Sequence, residues 1–414
     1  MTYKQLEQIA ASWRGKVCLF GAGKIGTTWA YDIISAAGIH VGFYCDNGKS
    51  AGMQIRDGVY TISKEELYAL KDDVFVFVTV AEKYQDAIKT QLEDNGIKNI
   101  FCVENASLSY FMDDIMGEGD EKKIAQYKCV TDDATFLKVC FKKALGYELN
   151  LENPKTFNEK LQWLKLYDRN PEYTKMVDKA EAKKYVADIL GVEYIIPTLG
   201  VYDKFDDIDF DKLPDRFVLK CTHDSGSVVI CRDKSAFDKE AARKKLTKAL
   251  GVNLFWYGRE WAYKDVKPRI IAEKYMQDGA RIVPEDYKFY CFNGQPKYVV
   301  VFHNRFNNEK RLFENVYDTE WKSQPFSLDE HFAISDVVEP KPKCLDKLLK
   351  MSKKLSENIF QSRIDFYIIN QQIYFGEITL YTASGFTKMI PEEMDRIIGL
   401  QLKLPTTMDS KFMM

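Results

Sequence analysis

RIDFYIINQQIYFGEITLYTASGF, residues 363–386, holds a pair of carboxylates inside an otherwise apolar pattern. Two runs rich in β-branched and aromatic residues, Arg363 to Ile369 and Ile373 to Thr379, flank the polar link Asn370-Gln371-Gln372. Such runs around a short polar break form a hairpin. With those three residues as the loop, Ile369 pairs with Ile373, Asp365 stands opposite Glu377, and Arg363 opposite Thr379. Side chains two apart on a strand share a face. Like charges directly opposite one another repel, so the Asp365–Glu377 pair needs a compensating charge. Two sources are open. A divalent cation such as Mg²⁺ suits hard carboxylate and hydroxyl oxygens and completes its shell with water and phosphate oxygens, which makes Asp365, Glu377 and Thr379 candidate metal ligands. Alternatively, Arg363 neutralises a solvated hairpin face that holds no metal.

A chain of 414 residues with 46% hydrophobic residues has material for two or three domains. The net charge of −2 and the absence of a long basic run argue against a general nucleic-acid binder, whose affinity rests on phosphate neutralisation. Nine cysteines are scattered without a Cys-x-x-Cys, and there are only four histidines, so neither a zinc framework nor a disulfide scaffold is expected. The first residues, MTYKQLEQIAASWRGK, are amphipathic, and the longest apolar runs, such as VFVFVTVA, have strand length. The expectation is a soluble, cytoplasmic protein with neither export signal nor membrane span.

The first hundred residues alternate strands and helices. In KVCLFGAGKIGTTWAYDIISAAGIHVGFYCDN an apolar strand, Val17 to Phe20, meets Gly21, Gly23 and Gly26 at the start of a helix. A second strand ends at Asp46, 20 residues beyond Gly26. That is the nucleotide-binding fingerprint in its expected context: glycines let backbone approach a phosphate at a helix N-terminus, and the acid accepts from a ribose hydroxyl. A helix from Ser63, the strand DVFVFVTVA, the helix KYQDAIKTQLEDNG and the strand NIFCV complete one mononucleotide-sized unit by about residue 105. It resembles the small Rossmann-like domains attached to bacterial surface-polysaccharide enzymes. A nucleotide or sugar-nucleotide contact and a retained scaffold are both open. The break GEGDEKK reads as the interdomain connection.

From Asn153 the texture changes. NPKTFNEKLQWLKLYD is a helix with the capping-box pair Thr156 and Glu159. The acid-lysine pair Asp178-Lys179 precedes a helix ending at Gly191 and a strand closing at Pro197. In RFVLKCTHDSGSVVICRD, Lys220 ends an apolar strand, where a charge is costly unless paired. The loop Thr222 to Ser227 that follows can form an anion nest from its backbone N–H groups. PRIIAEKYM gives a strand followed by Glu273, Lys274, Tyr275 and Met276, whose exposed backbone can meet a purine edge. DYKFYCFNGQPKYVVVFHNRF is a hairpin turning at Asn293-Gly294, with Asp286, Lys288 and Tyr290 on one face.

The order of these pieces resembles that of the ATP-grasp superfamily, and residues from Asn153 to about Lys388 look like its TupA-like branch, linked to teichuronopeptide and capsule synthesis. NPKTFNEKLQWLKLYDR, KCTHDSGS, PRIIAEKYM, DYKFYCFNG and RIDFY with FGEIT carry the likeness. Thr379 stands where most ATP-grasp ligases have asparagine, and AEAKKYV differs from an arginine-bearing version in that branch. The resemblance implies an N-terminal α/β Rossmann-like parallel sheet (1–115), a helical linker (116–150), an α+β ATP-grasp domain (151–405) and a tail (406–414). It implies ATP and Mg²⁺ as cofactors. Lys179 and Lys220 would hold phosphates, His223, Ser225, Gly226 and Ser227 would cover them, and Glu273 to Met276 would bind around adenine. Asp365 and Glu377, with Thr379, would hold Mg²⁺. Arg363 would face a developing acyl phosphate, with Lys220, Lys288 and Arg305 as further catalytic candidates. The implied reaction joins a carboxylate, small or linked to a sugar nucleotide, to an amine. A glycosyl- or phosphoryl-transferring capsule enzyme and a nucleotide-binding module without turnover are the alternatives.

Overall fold

Apolar strands alternating with helices build the first of two units into which the chain divides, Met1–Lys143 and Ala144–Met414. The structure, a computed structural model, describes residues 3–27, 29–56, 58–103, 133–277, 286–303 and 313–405. The connection expected at GEGDEKK, the tail at 406–414 and Arg305 lie outside the described residues.

The first unit is a mixed sheet of β1 (Lys16–Phe20), β2 (Phe43–Cys45), β3 (Gln54–Arg56), β4 (Val59–Ile62), β5 (Val74–Val78) and β6 (Asn99–Cys102) in the order β3-β4-β2-β1-β5-β6. All pairings are parallel except β3 with β4. Covering both faces of a parallel sheet calls for near-continuous apolar strands, and VFVFV of β5 is buried almost throughout. Ser63 and Glu66 form a capping box at the helix Lys64–Leu70, where the sequence placed a helix start.

The second unit holds two largely antiparallel sheets. One has the order β7-β10-β8-β9, from β7 (Thr198–Tyr202), β8 (Phe217–Cys221), β9 (Val229–Cys231) and β10 (Ile270–Lys274). The other runs β14-β13-β12-β11-β16-β17, with β11 (Asp286–Phe292), β12 (Gln295–His303), β13 (Phe313–Asp318), β14 (Ser323–Gln324), β16 (Gln361–Ile369) and β17 (Gln372–Thr379); β15 (Ala333–Ile334) pairs parallel to β13. The helix Leu345–Leu355 buries Leu345, Leu348, Met351 and Leu355 and packs on β11, β12 and β16. The strand expected to close at Pro197 instead begins after it, as β7. Proline has no N–H to give a sheet ladder and so marks a strand start.

The β16–β17 hairpin departs from its expected loop in an informative way. Its turn has two residues, Asn370 and Gln371, both left-handed at φ 49° and 66°, so Ile369 pairs with Gln372 rather than with Ile373. The register then shifts between Asp365 and Phe366, and the bulge restores Asp365↔Glu377 and Arg363↔Thr379. Gly376 is the extra residue, tight against the sheet: a Cβ there would lie 3.0 Å from the Asp365 carbonyl oxygen.

Candidate active site

Strand alternation puts Asp286 and Lys288 of β11, Arg363 and Asp365 of β16, and Glu377 and Thr379 of β17 on one face, with Lys288 directly opposite Asp365. Arg363 grips Asp365 in a fork, Nε to Oδ1 at 2.7 Å and Nη2 to Oδ2 at 2.8 Å, and its Nη2 also donates to Glu377 Oε1 at 2.6 Å. Lys288 Nζ lies 2.8 Å from Asp286 Oδ2 and pairs with Asp365 Oδ2. Burial raises the Asp365 pKa, but Arg363 and Lys288 outweigh it and hold the group down at about 2. Asp365 therefore stays ionised at 2% exposure. Both contacts to Glu377 fall on Oε1, the second from Thr379 Oγ1 at 3.5 Å. Repulsion between the opposed carboxylates is thus met first by Arg363 and Lys288.

The four-stranded sheet supplies a second charged group. Glu273 of β10 is 4% exposed; its Oε2 lies 2.7 Å from Lys220 Nζ of β8, and its Oε1 2.5 Å from Lys183 Nζ. Burial pushes the Glu273 pKa up, yet the two lysines win and it falls below the ordinary carboxylate value. Lys220 thus has the partner its place on an apolar strand requires. Lys179 donates its backbone N–H to Thr222 O at 2.9 Å and its ammonium to the Asp224 carbonyl, which ties it to the Thr222–Ser227 loop. Burial lowers its pKa, opposed by the charge of Glu377 and reinforced by that of Lys220.

The loop is braced from within. Ser227 Oγ accepts from the Cys221 N–H at 2.9 Å and donates to Asp224 Oδ1 at 2.7 Å, and Gly226 adopts φ +94°. The side chain of His223 does a different job from the one expected. Its Nε2 is shared between the carbonyls of Ala249 (3.1 Å) and Val252 (3.0 Å), and burial lowers its pKa, so the ring anchors the loop to the end of the helix Lys239–Leu250. Lys274 N–H donates to Pro197 O at 3.0 Å, and Tyr275 lies under Arg216 at 5.8 Å; Met276 follows as the strand ends. Lys183, missed in the sequence, lies four residues after Lys179, one helical turn on, within the run AEAKKYV.

In the first unit Gly21 has φ +118°, and a Cβ on Gly26 would meet Gly21 O at 2.0 Å, while nothing lies within 4 Å of one on Gly23. Asp46 accepts from the backbone N–H groups of Ala22 and Gly48, both at 2.8 Å, and so braces the glycine loop.

A family model described as TupA-like ATP-grasp matches residues 159–403. The chain belongs to this ATP-grasp family. It is therefore an ATP-grasp enzyme, with ATP as cofactor. No curated protein matches the chain. Solved structures similar to it include a D-alanine–D-alanine ligase from Bacillus anthracis complexed with ATP (12% identity over 94% of this chain and 98% of that one, TM-score 0.31). Another is the ATP-grasp ligase PsnB complexed with a phosphomimetic variant of its minimal precursor, Mg and ADP (10%, 94% and 98%, TM-score 0.35). A phosphoribosylamine–glycine ligase from Thermotoga maritima also matches (10%, 88% and 68%, TM-score 0.31). At these TM-scores the assignment rests on the family model alone.

The donor set of this ATP-grasp chain fits Mg²⁺. Asp365 and Glu377 would offer hard carboxylate oxygens at matched register on adjacent strands, Glu377 Oε2 lying outside the contacts that Arg363 and Thr379 make with Oε1. One or two carboxylates with phosphate oxygens completing the shell is the usual arrangement for Mg²⁺. Among the described residues no helix is long and apolar enough to cross a membrane.

Proposed function

We propose that the chain activates a carboxylate by phosphorylation and lets an amine displace the phosphate, forming an amide on a sugar acid or amino acid of a surface polysaccharide. The observation that carries this reading is the charged face shared by β11, β16 and β17, where Lys288 and Arg363 bracket the buried, ionised Asp365 beside Glu377. Lys179 and Lys220 orient the phosphates, with Glu273 fixing Lys220 and the Thr222–Ser227 backbone closing over them. Asp365 and Glu377 would hold Mg²⁺, which would supply neutralisation of phosphate charge when bound. The guanidinium of Arg363 reaches past Asp365 to Glu377 and stabilises negative charge growing on the acyl phosphate. Thr379 supports Glu377. Strand-end backbone around Glu273 to Met276 meets the adenine.

The first unit is proposed to be a Rossmann-like domain that takes a nucleotide or a nucleotide-linked sugar on its glycine loop. Each Asp46 oxygen keeps a further lone pair beyond its backbone contact, which a ribose hydroxyl can use. ADP release measured across a panel of uronic acids and amino acids with amines tests the reading of the second unit. Release that requires both an acid and an amine supports it, and ATP-independent glycosidic product overturns it.

A further inference from the structure

Two lysines share the buried Glu273 carboxylate, and their remaining N–H groups are spent differently. Lys183 Nζ lies 2.5 Å from Glu273 Oε1 and donates to Ile196 O at 2.7 Å and to Thr198 Oγ1 at 3.2 Å. An ammonium has three donors, so Lys183 has none left for a ligand. Lys220 Nζ meets a single partner among the described residues, Glu273 Oε2 at 2.7 Å. It keeps its other N–H groups for phosphate oxygens. Both lysine side chains are largely covered, at 12% and 18% exposure, so burial does not tell them apart and the use of their donors does.

The acceptors of Lys183 lie where strand pairing is irregular. β10 pairs with β7 through Ile270↔Tyr202, Ile271↔Val201 and Ala272↔Gly200, and the register then shifts so that Glu273 faces Thr198. A bulge interrupts the ladder and leaves backbone groups without their regular partners. Here the Lys183 ammonium takes up Ile196 O, and the Lys274 N–H takes up Pro197 O at 3.0 Å. Lys183 sits on the helix Glu181–Leu190, whose start is tied to the other end of the same strand. Asp178 Oδ1 accepts from the N–H groups of Ala180 (2.8 Å) and Glu181 (3.3 Å). Arg269, just before β10, donates from Nη2 to Asp178 Oδ2 at 2.8 Å and Glu181 Oε1 at 2.9 Å. Helix and strand are therefore gripped by charge at both ends. Glu273 is held in that frame through one oxygen and offers the other to Lys220.

We propose that Lys183 is a positioning residue for ATP: it fixes the Glu273 carboxylate and through it sets where Lys220 presents its ammonium to the phosphates. The inference rests on the reading of Lys220 as a phosphate ligand. Without Lys183, the carboxylate is anchored on one side only, and its whole charge falls to Lys220. The Lys220 ammonium is then drawn onto Glu273 and away from the phosphates. The backbone from Glu273 to Met276 keeps its own bond, from Lys274 to Pro197. Loss of Lys183 therefore acts on the phosphates and spares the nucleoside.

The test compares ATP, in the presence of Mg²⁺, with adenosine, which carries no phosphate, by calorimetry on the full chain. Lys183→Met is expected to weaken ATP roughly 10-fold and to leave adenosine within about threefold. Unchanged ATP affinity, or equal weakening of both ligands, overturns the proposal, the second because it makes Lys183 a prop of the whole site. Lys183→Gln, which removes the charge but keeps a hydrogen-bonding end, carries the same expectations if Lys183→Met does not fold. The route through Lys220 is tested by combining the substitutions. In Lys220→Met protein, adding Lys183→Met is expected to change ATP affinity less than about twofold, because the group it positions is gone. A further loss of about 10-fold there shows that Lys183 acts on the nucleotide by itself and overturns the proposal. Lys220→Met that binds ATP as well as the unsubstituted protein sinks the phosphate reading of Lys220, and the proposal with it.

Discussion

At Glu273 a buried carboxylate carries two lysines, so each lysine can be removed without leaving the carboxylate uncompensated. Lys220→Met is expected to weaken ATP binding by roughly 10- to 150-fold, the loss of one charge-assisted contact of ~1.5–3 kcal/mol. Because Lys183 stays on Glu273, the unfolding midpoint should fall by only a few degrees. Unchanged ATP affinity in calorimetry removes Lys220 from the site. Glu314 gives a pH-dependent outcome. It is 1% exposed, and burial raises its pKa from 4.5 to about 7, against hydrogen bonds from Ser327 Oγ and the Leu328 N–H. Between those values the folded state binds the extra proton, so this group's contribution is full below pH 4.5 and lost as pH rises through about 7. The difference in stability between the unsubstituted protein and Glu314→Gln should change by ~3 kcal/mol across that window, at about 1.4 kcal/mol per pKa unit; a pH-independent difference contradicts it. Lys220 was legible because a charge on an apolar strand demands a partner. Lys183 was not, because the contact that distinguishes it, with Glu273, is far away in sequence.

The hairpin β16–β17 shows how an element can be read correctly through a compensated error. A three-residue loop and a two-residue turn followed by a bulge place the same residues opposite one another beyond the bulge, so Asp365 and Glu377 were found although the turn was not. An isolated glycine is the only cue to a bulge, and Gly376 does not by itself say that the register moves. The two features predict opposite outcomes. Gln371→Gly should stabilise by about 1 kcal/mol, because φ 66° costs an L residue what glycine avoids. Its activity should be unaltered, and a lower urea midpoint would show the turn is not strained. Inserting one residue between Gly376 and Glu377 should shift Glu377 one place past Asp365 and turn it to the other face. ATP turnover should collapse with the far-UV circular dichroism preserved; retained turnover would mean that Glu377 does not act from this face. The helix boundaries at Ser63 and Thr156 were legible because a capping box is local. The start of β7 after Pro197 was not, since the residues before proline are extended whether or not they pair.

Over the whole molecule, the change from α/β alternation to antiparallel hairpins was readable from periodicity, and the contact division between Lys143 and Ala144 gives a boundary to test. A fragment beginning at Ala144 is expected to fold and to bind ATP with the affinity of the full chain, since the charged strand face and the lysines all lie beyond it. Insoluble or ATP-blind protein would make the first unit part of the catalytic fold. The joint order of weak motifs over more than half the chain carried the family, whereas the acid and the amine are written in no motif. The central claim is phosphoryl transfer to a carboxylate, and it is tested most directly by isotope. With an acid labelled with ¹⁸O in its carboxylate, ATP, Mg²⁺ and amine, the products should be ADP, amide and orthophosphate carrying one labelled oxygen from the acid. AMP with pyrophosphate, or unlabelled phosphate alongside amide, would contradict it.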